Sequence, residues 1–316
     1  MVDSKQLIVN ISTQLNTLNL DELQTKAINY GQQFKMVRGA EHCILSVYHG
    51  KKGIKYVWGG QDSTLSKQAQ ELIGVGSNSG GRSNEGSVTE ATDLTLLGKA
   101  PGFHGLWAGS DESGKGDFFG PLVVAAVMLD LKVAQVLQEA GIKDCKLLTD
   151  KKILQYEAVI KESVLHYSVL ALKPASYNLR YAQLKSEGKN LNNLLASGHV
   201  NALQNVLSQD SKCDYALIDR FTINNNIEAQ LLSGFPYLHV IQVPKAERDI
   251  AVAAASILAR AKFLQIVNDL NIKYDLNIPK GGGAQTTAYA KVIMAEKGRD
   301  ILNELVKKHF ANYKLL

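Results

Sequence analysis

Between residues 74 and 104 the sequence almost stops offering side chains to bury. GVGSNSGGRSNEGSVTEATD is built from Gly, Ser, Asn and Thr. A stretch with so little to bury does not offset the entropy of ordering it, so it reads as a flexible linker, taken as 76–104. The 316 residues thus divide into a small module, 1–75, and a larger domain, 105–316. Hydrophobic residues at 45% and charged residues at 21% are a globular mix, which excludes disorder or a collagen-like chain for most of the length. No fixed-period repeat lies on either side of the linker.

In the small module QLIVNIS alternates like a strand, and TLNLDELQTKAINYGQQF spaces its leucines and isoleucines like a helix. HCILSVYH, a GKKG turn and IKYVWGG read as a hairpin. STLSKQAQELIGVG reads as a second helix, with Ser63 as its N-cap and Gly74 as its stop. The expected order is β-α-β-β-α, a compact α+β unit. After the linker, HGLWAGSDE and PLVVAAVMLDL read as two strands joined by a glycine-rich turn. Helical patterns follow around 133–140 and 151–162, then a strand HYSVLAL and a helical stretch over 175–208. YALIDRF and HVIQVP are further strands, IAVAAASILARAKFLQIVNDL is a long helix, and 286–314 is helical. Strands alternating with helices give an α/β layered domain.

Lys and Arg number 35 against 30 Asp and Glu, a net charge of +5. Residues 1–100 hold ten of the bases and nine of the acids, so most of the excess sits after the linker. It permits a polyanionic partner without demanding one. Cys43, Cys145 and Cys213 lie far apart, without CxxC or Cys/His metal spacing, so a reducing compartment is the expectation and a disulfide framework is not. No apolar run near 18 residues stands out as a membrane span, and MVDSKQLIVNIS lacks the layout of a signal peptide. A cytoplasmic protein is expected.

The stretch that carries chemistry is GSDESGKGDFFGP, 109–121. Gly109, Gly114 and Lys115 match the GxxxxGK of a phosphate-binding loop, with Asp219 of YALID as its magnesium-holding acid. Against this nucleotide-hydrolase reading, Gly116 stands where a Ser or Thr hydroxyl is needed. Asp111 and Glu112 would also sit in the cradle of a polyphosphate, where their charge repels. The other reading makes the acids the purpose of the motif. Asp111 and Glu112 close a strand and project to opposite sides. Asp219 ends a buried strand, where a carboxylate is costly unless paired or cation-bound, although a strand-end Asp also serves as a turn former. Glu247 stands just before the long small-residue helix. It is either a ligand or a helix-terminus acid, and Asp249, two residues on, competes for the ligand role. Four carboxylates without His or Cys suit magnesium or manganese, and two such ions about 4 Å apart activate water and stabilise a leaving oxygen.

GSDESGKGDFFGPLVVAAV resembles the first active-site strand and turn of the type 2 ribonucleases H, and its GDFFGP ending resembles the ribonuclease HIII branch. GIKDCKLLTDKKI is similar to that family's Asp-Ser-Lys segment. YNLRYAQLKSEGKNLNNLLASGHVNAL and VPKAERDIAVAAASILAR are similar to its later helical and acidic segments. The resemblance covers roughly 105–312. It implies a ribonuclease H-like mixed sheet flanked by helices and metal-dependent endonucleolytic cleavage of the RNA strand of RNA–DNA hybrids, leaving 3′-hydroxyl and 5′-phosphate ends. It also implies Asp111, Glu112, Asp219 and Glu247 as the acidic quartet, with Asp111, Glu112 and Asp219 on two magnesium or manganese ions. Gly114, Lys115 and Gly116 would approach the hybrid backbone, where glycine leaves amides open to 2′-hydroxyls. Lys146 would contact phosphate, although an exposed lysine is as readily just solvated. Cys145 departs from the family serine and replaces a good hydroxyl donor with a weak one. IPKGGGAQTTAYAKV is unusually glycine-rich; Lys280 and its glycines either touch phosphate or form a mobile loop.

The N-terminal module is similar, more weakly, to the TATA-binding-protein-like substrate-binding domain of ribonuclease HIII. Lys51, Lys52, Lys55, Tyr56 and Trp58 are then a phosphate-binding and aromatic surface, or else an ordinary basic hairpin whose Tyr56 and Trp58 pack on the helices. A non-catalytic nucleic-acid-binding protein on the same scaffold is the remaining alternative. A monomer without an obligate protein partner is expected.

Overall fold

The computed structural model describes residues 4–28, 31–50, 53–60, 63–73, 94–98, 100–143, 145, 148–164, 166–220 and 226–316. Lys51, Lys52, the side chain of Lys55, Lys146 and residues 76–93 of the expected linker lie outside the described residues.

The N-terminal unit runs α1 (Ser4–Leu15), β1 (Glu22–Ile28), β2 (Gly31–Arg38), β3 (Glu41–Gly50), β4 (Gly53–Gly60) and α2 (Thr64–Leu72). Its four strands form an antiparallel meander in sequential order. This corrects the expected β-α-β-β-α order. QLIVNIS is helical, because Leu7, Ile8, Ile11 and Leu15 fall on one face and pack on Phe34, Met36, Leu45 and Val47. The stretch read as the first helix is the β1–β2 hairpin, with Thr25 opposite Phe34 and Leu23 opposite Met36. Ser63 caps α2 as expected, its hydroxyl accepting from the Ser66 amide at 3.2 Å. Tyr56 and Trp58, both partly buried, pack against this helix-covered core, as the ordinary-hairpin alternative expects.

The larger unit contains β5 (Leu106–Ser113), β6 (Leu122–Asp130), α3 (Leu131–Glu139), α4 (Asp150–Ser163), β7 (His166–Leu172), α5 (Pro174–Ser186), α6 (Leu191–Leu207), β8 (Tyr215–Asp219), α7 (Ile227–Leu232), β9 (His239–Val243), α8 (Ile250–Tyr274) and α9 (Ala284–Leu305). The sheet order is β7-β6-β5-β8-β9, antiparallel across β7, β6 and β5 and parallel from β5 through β8 to β9. It is a mixed sheet with helices on both faces. α8 covers one face against Val123, Ala125 and Val127, and α6 covers the other against Ala108, Val124 and Ala126. The alanines of α8 permit this close approach: a Cβ on Gly109 of β5 would lie 2.6 Å from the Val252 nitrogen. α8 also corrects the expectation about apolar runs. It is long and apolar enough to cross a membrane by length and composition, yet it is largely buried inside this domain.

The end of the expected linker is not loose. Leu94 and Leu97 join the core of the larger unit, and Tyr215 donates its hydroxyl to the Pro101 carbonyl. Within residues 94–104, then, leucines that look isolated in the sequence find a core supplied by distant segments.

Candidate active site

β5 and β8 are parallel neighbours with Ser110 opposite Ile218, so one step further along brings Asp111 level with Asp219 at the same end of the sheet. The alternation of β5 splits the acid pair as expected. Asp111 faces α8, where it meets the Ser256 side chain, and Glu112 faces α6, where it meets His199. Burial pushes the Asp111 carboxyl well above the usual carboxylate range; the negative charge of Glu112, and less strongly that of Asp219, adds to the rise. Burial pushes Glu112 the same way, but the hydrogen bond and charge of His199, followed by Lys115, outweigh it and hold Glu112 below the usual range. Lys115 Nζ lies 3.5 Å from Glu112 Oε1.

Asp219 Oδ1 accepts from the Ala246 amide at 3.2 Å, which ties the end of β8 to the 3-10 turn Ala246–Arg248. Glu247 is the next residue in that turn and is half-buried. Its competitor Asp249 is fully buried and occupied elsewhere. Oδ1 accepts from Trp107 Nε1 and the Ala251 amide, both at 2.9 Å, while Oδ2 accepts from Thr95 Oγ1 at 2.6 Å and the Leu96 amide at 3.2 Å. Asp249 caps α8 and fastens the 94–97 segment, leaving its carboxylate no role at the sheet end. As the side chains stand, no group of three or more His, Cys, Asp or Glu among the described residues is gathered tightly enough to hold an ion. Asp111 is the residue on which the acids act together, feeling the charge of both Glu112 and Asp219.

The phosphate-loop reading fails on geometry. Gly109 to Ser113 is strand rather than loop, and the chain after Lys115 turns into strand β6 rather than opening a helix. Gly114 has φ +88°, and a Cβ there would lie 2.1 Å from the Pro121 carbonyl oxygen, so the turn itself demands glycine. At Gly116 the space is open, so the exposed-amide argument applies there and not at Gly114. The triple-glycine segment is docked rather than loose. The Gly281 amide donates to Asp117 Oδ1 at 2.7 Å, Phe118 donates to the Gly281 carbonyl at 2.9 Å, and Lys280 pairs with Asp150. Cys145 Sγ accepts from Ser256 Oγ at 2.8 Å, so its thiol stands one hydroxyl away from Asp111.

The family described as Ribonuclease HII matches residues 108–313, the whole of this sheet and its helices. The chain belongs to the ribonuclease HII family. Among its relatives, ribonuclease HIII of Protochlamydia amoebophila is 37% identical over 202 residues, covering 64% of this chain and 65% of that protein. Ribonuclease HIII of Chlamydia felis is 37% identical over 207 residues, covering 65% and 67%. The match thus spans about two thirds of those relatives' length. The crystal structure of Bst-RNase HIII in complex with Mn2+ superposes with a TM-score of 0.60 at 26% identity, over 99% of this chain and 95% of that one.

Two features around these acids have no signal in the sequence. Lys307 is fully buried, and its ammonium donates to the carbonyls of Asp117 and Gly120, both at 2.7 Å, and of Phe119 at 3.3 Å. Its amide also donates to the Phe118 carbonyl at 2.9 Å. Burial pushes the Lys307 pKa down to about 7, with the charge of Asp117 opposing. Below that pH the folded and unfolded chains are both protonated, and the cost of the buried charge is fully present. As pH rises the folded form loses its proton first, so stability climbs until the unfolded lysine titrates near 10.4. Urea unfolding should show a slope contribution of up to about 1.4 kcal/mol per pH unit across that window, absent in Lys307→Met. The same variant leaves three carbonyls without their donor and should be less stable by roughly 1–3 kcal/mol below pH 7. Identical pH slopes in the two proteins would contradict the assignment. The second feature is His199, fully buried, whose imidazole Nε2 lies 3.2 Å from Glu112 Oε2.

Proposed function

We propose that this protein is an endoribonuclease that cuts the RNA strand of RNA–DNA hybrids by metal-assisted hydrolysis, leaving 3′-hydroxyl and 5′-phosphate ends. The observation that carries the reading is the convergence of Asp111, Glu112 and Asp219 on one end of the sheet in a ribonuclease HII family domain. The donor set fits a hard divalent cation, being all carboxylate oxygen. Asp111 is pushed up by burial first and then by the charges of Glu112 and Asp219, and a cation among the three would cancel that repulsion. Mn2+ is bound by the related Bst-RNase HIII, in keeping with this fit.

In this reading Asp111, Glu112 and Asp219 hold the metal, with Glu247 as the fourth acid from the turn that Asp219 anchors. Magnesium or manganese, two ions during turnover, supplies activation of the attacking water and neutralisation of the leaving oxygen. Gly114, Lys115 and Gly116 carry the turn to the hybrid, where the open Gly116 amide meets a 2′-hydroxyl or phosphate; Lys146 adds a phosphate contact. The N-terminal unit serves as a second binding surface for the hybrid.

The test is incubation with end-labelled RNA–DNA hybrid. Cleavage of the RNA strand alone, with 5′-phosphate products, abolished by EDTA and restored by magnesium or manganese, is the expected result. Glu247→Gln should lose cleavage with an unchanged melting temperature. Hybrid left intact under every metal, with or without ATP consumption, would refute the reading.

A further inference from the structure

His199 is fully buried on α6, and no part of the mechanism above uses it. Its Nε2 lies 3.2 Å from Glu112 Oε2, and its Nδ1 lies 2.8 Å from the hydroxyl of Ser110, itself fully buried. Ser110 and Glu112 are two apart on β5 and share one face, so the imidazole bridges them along the strand. The neighbouring glycine makes the bridge possible: a Cβ on Gly198 would lie 2.8 Å from Val124 Cγ2, so α6 comes down onto the sheet at that point. An ionised carboxylate only accepts, which places a proton on Nε2. Nδ1 of the neutral ring then accepts from the Ser110 hydroxyl, so the carboxylate sets the tautomer and the serine completes it. With neither Ser110 nor His199 reaching solvent, this chain is no nucleophilic triad.

We propose that Ser110 and His199 form a buried strut that positions the Glu112 carboxylate for the divalent cation, making His199 a positioning residue. This rests on the reading of Glu112 as a metal ligand. An outer partner that orients a ligating carboxylate typically sets metal affinity by about 10- to 100-fold. Lys115 holds the other Glu112 oxygen from an exposed site, where solvent weakens the pairing. The orientation of Glu112 therefore depends chiefly on the imidazole.

The experiment titrates Mn2+ into full-length protein by calorimetry without nucleic acid, in wild type, E112Q, H199F, H199Q and S110A, with melting curves alongside. H199F should bind Mn2+ about 10- to 100-fold more weakly. H199Q, which retains an N–H that reaches Glu112, should recover most of that loss, a rescue that mere packing of the ring would not give. S110A removes only a hydroxyl from the far end of the strut. It should weaken Mn2+ by several-fold, and it decides the matter if H199F does not fold. In hybrid cleavage at saturating Mn2+, KM should stay at the wild-type value in S110A and H199Q. Wild-type Mn2+ affinity in H199F and S110A, beside weak binding in E112Q, would overturn the strut and leave the Glu112 reading standing. Wild-type affinity in E112Q would overturn both.

Discussion

Replacing Asp111 with Asn is expected to lower the rate of RNA–DNA hybrid cleavage by about a thousandfold or more while leaving the fold intact. The carboxamide keeps the size of the side chain and an oxygen able to accept the Glu112 amide, which Asp111 Oδ1 now holds at 2.8 Å. What it removes is the negative charge at the centre of the acidic group, the part that attracts a cation. A bound metal contributes several kcal/mol of transition-state stabilisation, and each 1.4 kcal/mol is about a factor of ten in rate. Because burial and the charge of Glu112 both raise the Asp111 carboxyl, its loss as a charged group relieves repulsion, and the variant should melt at or above the wild-type temperature. Single-turnover cleavage with labelled hybrid, beside a thermal melt, measures both quantities. Undiminished cleavage would remove Asp111 from the mechanism.

Asp249→Ala should do the reverse: a large loss of stability with metal binding retained by the protein that folds. Truncation leaves the Trp107 indole N–H, the Thr95 hydroxyl and the amides of Leu96 and Ala251 without their acceptor, all at the start of the central helix. Burial pushes the pKa of Asp249 up, and the four donors oppose that rise by holding the anion. Breaking a buried charged network of this kind costs roughly 3–5 kcal/mol. In a domain of this size that lowers the melting temperature by on the order of 10 °C. Denaturant unfolding and Mn2+ calorimetry at low temperature are the measurements. A melting temperature within a degree of wild type would show that the network contributes nothing. Together with Glu247→Gln, this variant separates two acids that lie two residues apart in sequence.

The larger unit was legible because two of its strands, LWAGSDE and YALID, run through buried residues and end in acids that have little reason to follow a buried run unless they do chemistry. Alternation along β5 even set Asp111 and Glu112 on opposite faces. The N-terminal half was misread for the same physical reason in reverse. Only Leu23 and Ile28 of the seven residues of β1 are even half-buried, so period-two patterning had little to display, while the leucines of its flanks imitated helical spacing. Asp249 looked like Glu247 until its partners came in from 142 and 154 residues away. His199 meets Glu112 from 87 residues away, and a histidine inside an amphipathic stretch has no local mark that distinguishes a strut from a core residue. Tertiary partners decide such roles, and a local window does not contain them.

The Lys307 ammonium reaches the glycine turn from 187 to 190 residues further along the chain. During synthesis the acids of β5 therefore leave the ribosome long before the group that fastens their neighbouring turn has been made. Contacts of such high sequence separation form late, after the costly closure of a long loop. The growing chain thus carries the β5 acids from early on, yet the turn beside them is fastened only after Lys307 has emerged.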